Sequence, residues 1–176
     1  MEADTHDSEL KLKAPGNLTI RANVAAYLDQ TQNESGYAIA RKSFDQQPYW
    51  HIERSRIGTS RNVAVELIVN GNPVDTMLVV ANGKMEEVEF DYYLKKSSWI
   101  ALRILYSAHT NPVFVLVNDN PVRVKRSAIW CRQALDQCWK MKKENIRAGE
   151  RPAAKAAYDK AGMVYDKIIK EAAINE

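Results

Sequence analysis

Few side chains in this sequence are placed for catalysis or metal binding. The three histidines are His6, His51 and His109, and none stands in a His-x-His or His-Glu-x-x-His spacing. Cys131 and Cys138 fall in a stretch that predicts a helix, where about 10.5 Å of rise separates them, too far for a disulfide. They are therefore interpreted as buried apolar thiols of a helix, and no metal centre or redox pair is expected.

Motifs for nucleophilic catalysis and for nucleotide binding are also absent from the sequence. Gly-x-Ser-x-Gly does not occur, and the seven glycines form neither Gly-x-x-x-x-Gly-Lys nor Gly-x-Gly-x-x-Gly. The acidic run Glu86 to Asp91 alternates as on the solvated face of a strand, which we favour over a calcium site. We therefore expect no cofactor, no catalytic residue and no enzyme activity in this chain by itself.

Two groups of residues could bind a ligand. Tyr49, Trp50 and Trp99 could stack on a sugar, although packing of these aromatic rings within the fold is the favoured interpretation. The loop Tyr106–Pro112 presents polar groups between two apolar strands, as binding loops do. Its Thr110 and Asn111 could instead satisfy backbone groups at a tight bend, which we favour.

The elements that carry these residues are mostly predicted strands. Leu18, Ile20 and Val24 share one parity before Leu28, and Val63 to Val69 alternates in the same way. Asn-Gly pairs at 70–71 and 82–83 predict hairpin turns, and further strands are expected at Tyr49–Arg54 and Val122–Val124. The pattern predicts a mainly β fold, an antiparallel β-sandwich of about eight strands, Ig-like or jelly-roll-like.

Helical spacing of apolar residues begins at Lys125. Ser127 is a candidate cap for a first helix, and Pro152 suits the first turn of a second, so an antiparallel helical pair is predicted. The expected organisation is a polar, disordered leader at 1–16, a β-sandwich at 17–124 and the helical pair at 125–176, packed on the sandwich. Val69–Val74 and Val117–Val122 share Val-Asn-x-Asn-Pro-Val, which we attribute to hairpin chemistry and not to duplication.

Composition excludes two partner classes. The 176 residues carry a net charge of +3 with acids and bases interleaved, so nucleic-acid binding is not expected. No apolar run approaches the roughly 18 to 20 residues that cross a bilayer, so no membrane span is expected. The first residues lack the apolar core of a signal peptide, which is compatible with an intracellular protein or with trimming from an exported precursor.

Between about Gln47 and Ala172 the sequence resembles the C-terminal region of CehA/McbA-type metallohydrolases, members of the PHP superfamily. The most specific part is Trp99-x-Ala101-x-Arg103 followed by His109-Thr110-Asn111-Pro112. Five segments carry the resemblance: Tyr49–Arg54, Val65–Gly71, Ser97–Ile104, His109–Phe114 and Trp130–Trp139.

The resemblance implies a role beside a catalytic domain. In that family a PHP barrel N-terminal to this region carries the metal ligands of a phosphoesterase-like hydrolase, and the barrel motifs have no counterpart in these residues. We therefore expect a non-catalytic accessory domain whose partner is a catalytic metallohydrolase domain, in the same chain or a companion chain. The alternatives are an independent ligand-binding module, for example for carbohydrate, and a weaker hypothesis of cryptic hydrolase activity. The candidate interface or ligand surface is Trp50, Arg54, Trp99, Arg103, His109 and Asn111.

Overall fold

The computed structural model describes residues 8–174, which fall into two compact units, one ending at Asn120 and the other starting at Pro121. The described residues include eight strands in two sheets, followed by helices. The arrangement is sandwich-like, as predicted, but the chain as a whole is mixed α and β. The first unit ends at Asn120, whereas the predicted boundary is at residue 124.

The first unit holds all the strands. They are β1 (Glu9–Leu12), β2 (Gly16–Tyr27), β3 (Asn62–Val69), β4 (Asn72–Val80), β5 (Asn82–Leu94), β6 (Ser98–Ile104), β7 (Ala108–His109) and β8 (Val113–Val117). A short helix, α1 (Glu34–Ala40), and a 3₁₀ turn at Ile52–Ser55 lie in the connection from β2 to β3. The second unit holds α2 (Lys125–Lys142), a 3₁₀ turn at Lys143–Asn145, and α3 (Arg151–Ile174).

The larger sheet has the order β1-β8-β6-β3-β4, with β7 also paired to β6, and the smaller sheet is the β2-β5 ribbon. Both sheets contribute to one apolar core. Phe90 and Val88 come from the smaller sheet, and Leu67, Leu102 and Val115 from the larger, each at most 7% exposed. This shared core is what makes the two sheets a sandwich, since each buries its apolar face against the other.

The predicted alternation is confirmed in the smaller sheet. Every second residue of β2 is exposed, and Glu87, Glu89 and Asp91 of β5 project from the same outer face, whereas Glu86 has the opposite parity and is half-buried. Thr19 Oγ1 donates to Asp91 Oδ1 at 2.7 Å, and Arg21 pairs with Glu89 across the ribbon. The prediction of a solvated strand face is therefore confirmed for Glu87, Glu89 and Asp91 and is wrong for Glu86.

The two similar turns share a backbone conformation. Asn70 and Gly71 have φ values of 51° and 86°, and Asn118 and Asp119 both have 54°. Positive φ at both central residues is what a type I′ turn requires, and Asn, Asp and Gly accept it most readily. The first turn joins two strands, whereas the second leads towards α2, which supports local turn chemistry as the reason for the similarity.

The predicted leader contains a strand. The prediction covered residues 1–16, of which 1–7 lie outside the described residues. Glu9–Leu12 pairs in parallel with Phe114–Val117, and Leu10 and Leu12 pack against the core. The expectation of disorder is therefore wrong for this strand, and so is that of a wholly antiparallel sandwich, because the apolar side chains of Leu10 and Leu12 gain burial beside β8.

Two other predicted strands are absent from the described structure. Tyr49–Arg54 enters the 3₁₀ turn at Ile52, where Arg54 N donates to His51 O at 3.0 Å. Val122–Val124 belongs to no strand and runs directly into α2. In each segment the alternation of side chains resembled a strand, but no neighbouring strand pairs with the backbone.

The helical pair is antiparallel, as its cross-contacts show. Arg123 pairs with Glu171, Arg132 with Asp166, and Cys138 lies next to Tyr158, so numbers rise along α2 as they fall along α3. Helix α2 starts at Lys125 and has no side-chain cap, so the prediction of Ser127 as its cap is wrong. That the pair packs on the sandwich remains a prediction. Within residues 8–174, no helix is long and apolar enough to span a bilayer.

The turn at Gly71 provides a test of the hairpin. Gly71→Ala places a side chain at a φ of 86°, so we expect destabilisation of more than about 1 kcal/mol. Gly16→Ala is the matched control, because Gly16 lacks a positive φ and its added Cβ would meet its nearest atom at 3.9 Å. Urea unfolding followed by circular dichroism measures both. Equal effects of the two substitutions would contradict the assignment of the turn.

Candidate binding cleft

The connection from β2 to β3, residues 28–61, is organised around a buried ion pair. Arg56 Nε donates to Glu53 Oε2 at 2.7 Å, and Arg56 Nη2 donates to Glu53 Oε1 at 2.8 Å. The two side chains are 1% and 8% exposed. A bidentate arginine–carboxylate pair of this kind has both its charges and its geometry matched.

Other polar groups complete this pair. Gln32 Nε2 donates to Glu53 Oε2 at 2.9 Å, while Arg56 donates to the carbonyl oxygens of Asp29 and Ser60, both at 2.9 Å. The contact with Arg56 is the main reason why the pKa of Glu53 lies below its usual value. Because Asp29 and Ser60 stand near opposite ends of the connection, the network closes it into a loop.

Helix α1 is seated against the same network. Asn33 Oδ1 accepts from Gly36 N at 2.8 Å and caps the helix. A Cβ at Gly36 would lie 3.0 Å from Glu53 Cδ and 3.1 Å from Gln32 Cγ. Glycine is therefore required here by the close approach of the helix backbone to the buried carboxylate.

Arg54 organises the turn that precedes it. Its Nη2 donates to the carbonyl oxygens of Ser43 at 2.7 Å and Gln46 at 2.9 Å, and Lys42 Nζ donates to Gln47 O at 2.7 Å. These bonds fix the backbone on either side of Phe44 and ahead of Trp50. Phe44 is 73% exposed and Trp50 is 76% exposed, so two large aromatic side chains of this segment face solvent.

The opposite wall comes from the tight turn between β6 and β7. Ser107 N donates to Ile104 O at 2.9 Å, and Tyr106 has a φ of 74°, which is a strained conformation for a bulky residue. The Tyr106 ring lies 5.4 Å from that of Phe44. Ser55 Oγ also donates to Leu105 O at 2.6 Å, which ties the connection to the turn.

Between these walls lies a cleft of about 610 Å³. Aromatic rings and basic groups share its lining, which includes Phe44, Tyr49, Trp50, Arg54, Arg103, Tyr106 and His109. We refer to these seven residues as the aromatic cleft. Its composition suits recognition of a ligand that has both an apolar and a polar part.

The aromatic cleft brings together four of the six residues predicted from the sequence: Trp50, Arg54, Arg103 and His109. Trp99 is half-buried on β6, opposite Phe114 of β8, and Asn111 is exposed; neither lines the cleft. Thr110 has a structural role, because its hydroxyl accepts from Leu102 N at 3.1 Å. Phe44 was not predicted, and its signal was a lone aromatic residue within a polar stretch.

The polar side of the cleft is built on neighbouring strands. Arg103 of β6 is directly opposite both Glu66 of β3 and His109 of β7. Arg103 Nε donates to Glu66 Oε2 at 2.7 Å, and His109 Nδ1 lies 3.1 Å from Thr110 O. Because a carbonyl only accepts, Nδ1 of this histidine carries the proton.

The helical unit has a smaller cavity, of about 270 Å³, between α2 and α3. Its charged groups are largely paired with each other: Arg132 with Asp136 and Asp166, and Lys155 with Asp159. Cys131 and Cys138 are free and half-buried, not fully buried as predicted. Cys138 Sγ lies 3.2 Å from Tyr158 Oη, and this contact raises the pKa of Tyr158.

Among residues 8–174, no group of three or more His, Cys, Asp or Glu side chains is placed to hold a metal ion. Comparison of the chain with protein-family models, with curated proteins and with solved structures found no match in any of the three.

The buried pair predicts a large effect of one substitution. Glu53→Gln leaves the charge of Arg56 buried and unpaired, so we expect a loss of about 3 to 5 kcal/mol in the free energy of unfolding. Glu89→Gln removes the same charge from an exposed pair on the smaller sheet and is expected to have a far smaller effect. Thermal and urea unfolding of both variants give the comparison, and similar losses would contradict the assigned role.

The same pair predicts acid sensitivity. Because the folded pKa of Glu53 is lowered, its stabilising contribution is complete above about pH 4.5 and is lost as the pH falls below that value. The difference in stability between the wild type and Glu53→Gln should therefore shrink between pH 6 and about pH 3. Urea midpoints across this range measure the difference. A difference that stays constant would show that Glu53 is not held as a carboxylate.

Proposed function

We propose that this chain is a non-catalytic accessory module that docks on the catalytic domain of a PHP-type, phosphoesterase-like metallohydrolase through the aromatic cleft. One observation carries the proposal. Three separate segments that carry the resemblance to such hydrolases, Tyr49–Arg54, Ser97–Ile104 and His109–Phe114, each contribute residues to this cleft. Docking would support the stability of the catalytic domain or the access of its substrate.

The exposure of the cleft residues supports a docking role. Trp50 and Phe44 are each more than 70% exposed, which leaves large apolar surfaces in water. Tryptophan, tyrosine and arginine are the side chains that dominate binding energy in protein interfaces, and Arg54 and Tyr49 flank Trp50 here. Burial of these two exposed rings by a partner would contribute a favourable hydrophobic free energy to binding.

The proposal extends to the class of sandwich. We propose an Ig-like or jelly-roll-like arrangement, because the chain passes from the smaller sheet at β2 to the larger at β3, returns at β5 and crosses again at β6. Repeated crossing between two packed sheets is typical of Greek-key sandwiches. The parallel β1–β8 pair is an addition to that scheme.

Carbohydrate binding is the second candidate, favoured by the exposure of Trp50 beside Tyr49. Their rings lie 5.8 Å apart at an angle of 70°, and Trp99 lines another part of the surface. The predicted platform of three rings is therefore not formed, and the edge-on arrangement offers less flat surface for a sugar. Protein docking accounts better for Arg103, whose guanidinium lines the cleft.

Calorimetric titration of the chain with a purified PHP-type catalytic domain tests the docking role. We expect Trp50→Ala to weaken binding by about tenfold or more, as for a central aromatic anchor. Trp130→Ala is the matched control, because Trp130 is similarly exposed, at 69%, and belongs to α2 of the second unit.

Two outcomes would contradict the proposal. One is that the wild-type chain neither binds the catalytic domain nor changes its stability or activity. The other is that a glycan array shows binding that Trp50→Ala abolishes, which would favour the carbohydrate-binding alternative.

A further inference from the structure

Arg103 presents an unused part of its guanidinium group at the cleft. Its Nε is bound to Glu66, while Nη1 and Nη2 make no hydrogen bond within the described part of the chain. The side chain is 32% exposed and lines the cleft. A guanidinium held by one nitrogen keeps its orientation, and its remaining donors match the two oxygens of a carboxylate.

His109 stands beside this group. The two residues are directly opposite in the β6–β7 ladder, so their side chains leave the sheet on the same face, with Cβ atoms about 5 Å apart. Since Nδ1 of His109 is directed to Thr110 O, Nε2 is the ring nitrogen left for a ligand. With the proton on Nδ1, Nε2 is an acceptor for an N–H group of the ligand next to Arg103.

The charged groups that line the cleft are cations. Among the described residues that line it, Arg54 and Arg103 are cations and none carries a carboxylate. Two acids offset part of this charge from outside the lining: Glu66 accepts from Arg103, and Asp45 accepts from Ser43 Oγ at 2.6 Å and interacts with Arg54. Because the groups that meet a ligand directly are cationic, an anionic ligand is favoured over a cationic one.

We propose that the occupant of the aromatic cleft is an acidic peptide segment of the docking partner. In this proposal, which rests on the proposed docking function, an Asp or Glu carboxylate is bound by Arg103, His109 Nε2 accepts from a backbone N–H of the segment, and a neighbouring apolar side chain packs on Trp50 and Phe44. Because one wall of the cleft is polar and the other is aromatic, the cleft favours a segment that has both a carboxylate and an apolar side chain. Arg54 stays in its structural role, bound to the carbonyls of the 42–46 turn.

Charge variants of the chain test this against the PHP-type catalytic domain. We expect Arg103→Gln to weaken binding by about tenfold or more, and the double variant E66Q/R103Q, which leaves no unpaired carboxylate, to lose the same amount. Arg103→Lys, which keeps the charge without the fork, should recover part of the affinity. Arg21→Gln is the control, because it breaks a similar arginine–glutamate pair on the smaller sheet and should change affinity less than about twofold.

A peptide library displayed on phage and selected on the immobilised chain gives a separate measurement. We expect captured peptides to be enriched in Asp and Glu, with an aromatic or aliphatic neighbour, and this enrichment to disappear on E66Q/R103Q. Unfolding midpoints of each variant establish that the fold is retained. A soluble hexagalacturonate competitor distinguishes an acidic sugar from an acidic peptide.

The outcomes separate the two proposals. If the catalytic domain binds but E66Q/R103Q binds equally well and no acidic peptides are captured, the acidic occupant is overturned while docking stands. If acidic peptides are captured through Arg103 and the catalytic domain does not bind, the cleft has the proposed specificity and the hydrolase partner is wrong. Binding of hexagalacturonate in place of peptides would overturn the peptide occupant.

Discussion

The buried pair of Glu53 and Arg56 is the interaction on which the cleft depends. The β2–β3 connection contains one short helix and a 3₁₀ turn, and the buried carboxylate of Glu53 is bound by the side chains of Gln32, before it in the connection, and Arg56, after it. Burial of two charges costs free energy unless their hydrogen bonds are satisfied, and here both oxygens of the carboxylate are bound. Arg54, which follows Glu53 in the 3₁₀ turn, binds the carbonyls on either side of Phe44, so the buried pair and the turn that carries the exposed rings are parts of one connection.

The two walls of the cleft differ in origin. One is a turn between paired strands, held by the ladder of the larger sheet, and the other is a loop held by polar contacts. Ser55 joins them through a single hydrogen bond to Leu105. Binding residues carried by loops on a rigid sheet are common, because the sheet fixes the frame while the loop supplies the chemistry.

Much of the sandwich was predictable because its information is local. Alternation fixed β2 and β3, and the Asn-Gly pair fixed the hairpin between β3 and β4. The strand β1 was missed because its partner lies more than 100 residues away, at Phe114–Val117, and four residues carry little pattern of their own. Tyr49–Arg54 was misassigned because burial of Glu53 depends on Gln32 and Arg56, which no periodicity reveals.

The candidate site was predicted only in part, because residue types are local information and their assembly into a cleft is not. Trp50, Arg54, Arg103 and His109 were identified by residue type and by the family resemblance, without any indication that they share a cleft. Phe44 was not predicted because its place in the cleft depends on the bonds from Arg54 to the carbonyls around it, which the sequence pattern does not indicate. Trp99 does not line the cleft, and its ring lies near Gly71, where an added Cβ would be 3.7 Å from Trp99 Cζ2.

The conformation of Tyr106 bears on how this molecule can change by mutation. A residue other than glycine held at positive φ costs about 1 to 3 kcal/mol, and contact with the Phe44 ring offsets about 0.5 to 1.5 kcal/mol of that. Selection for stability alone would thus replace this tyrosine by glycine or asparagine. A lineage that retains an aromatic ring at this position keeps it at the expense of thermal stability, which is the expected signature of selection for the cleft itself.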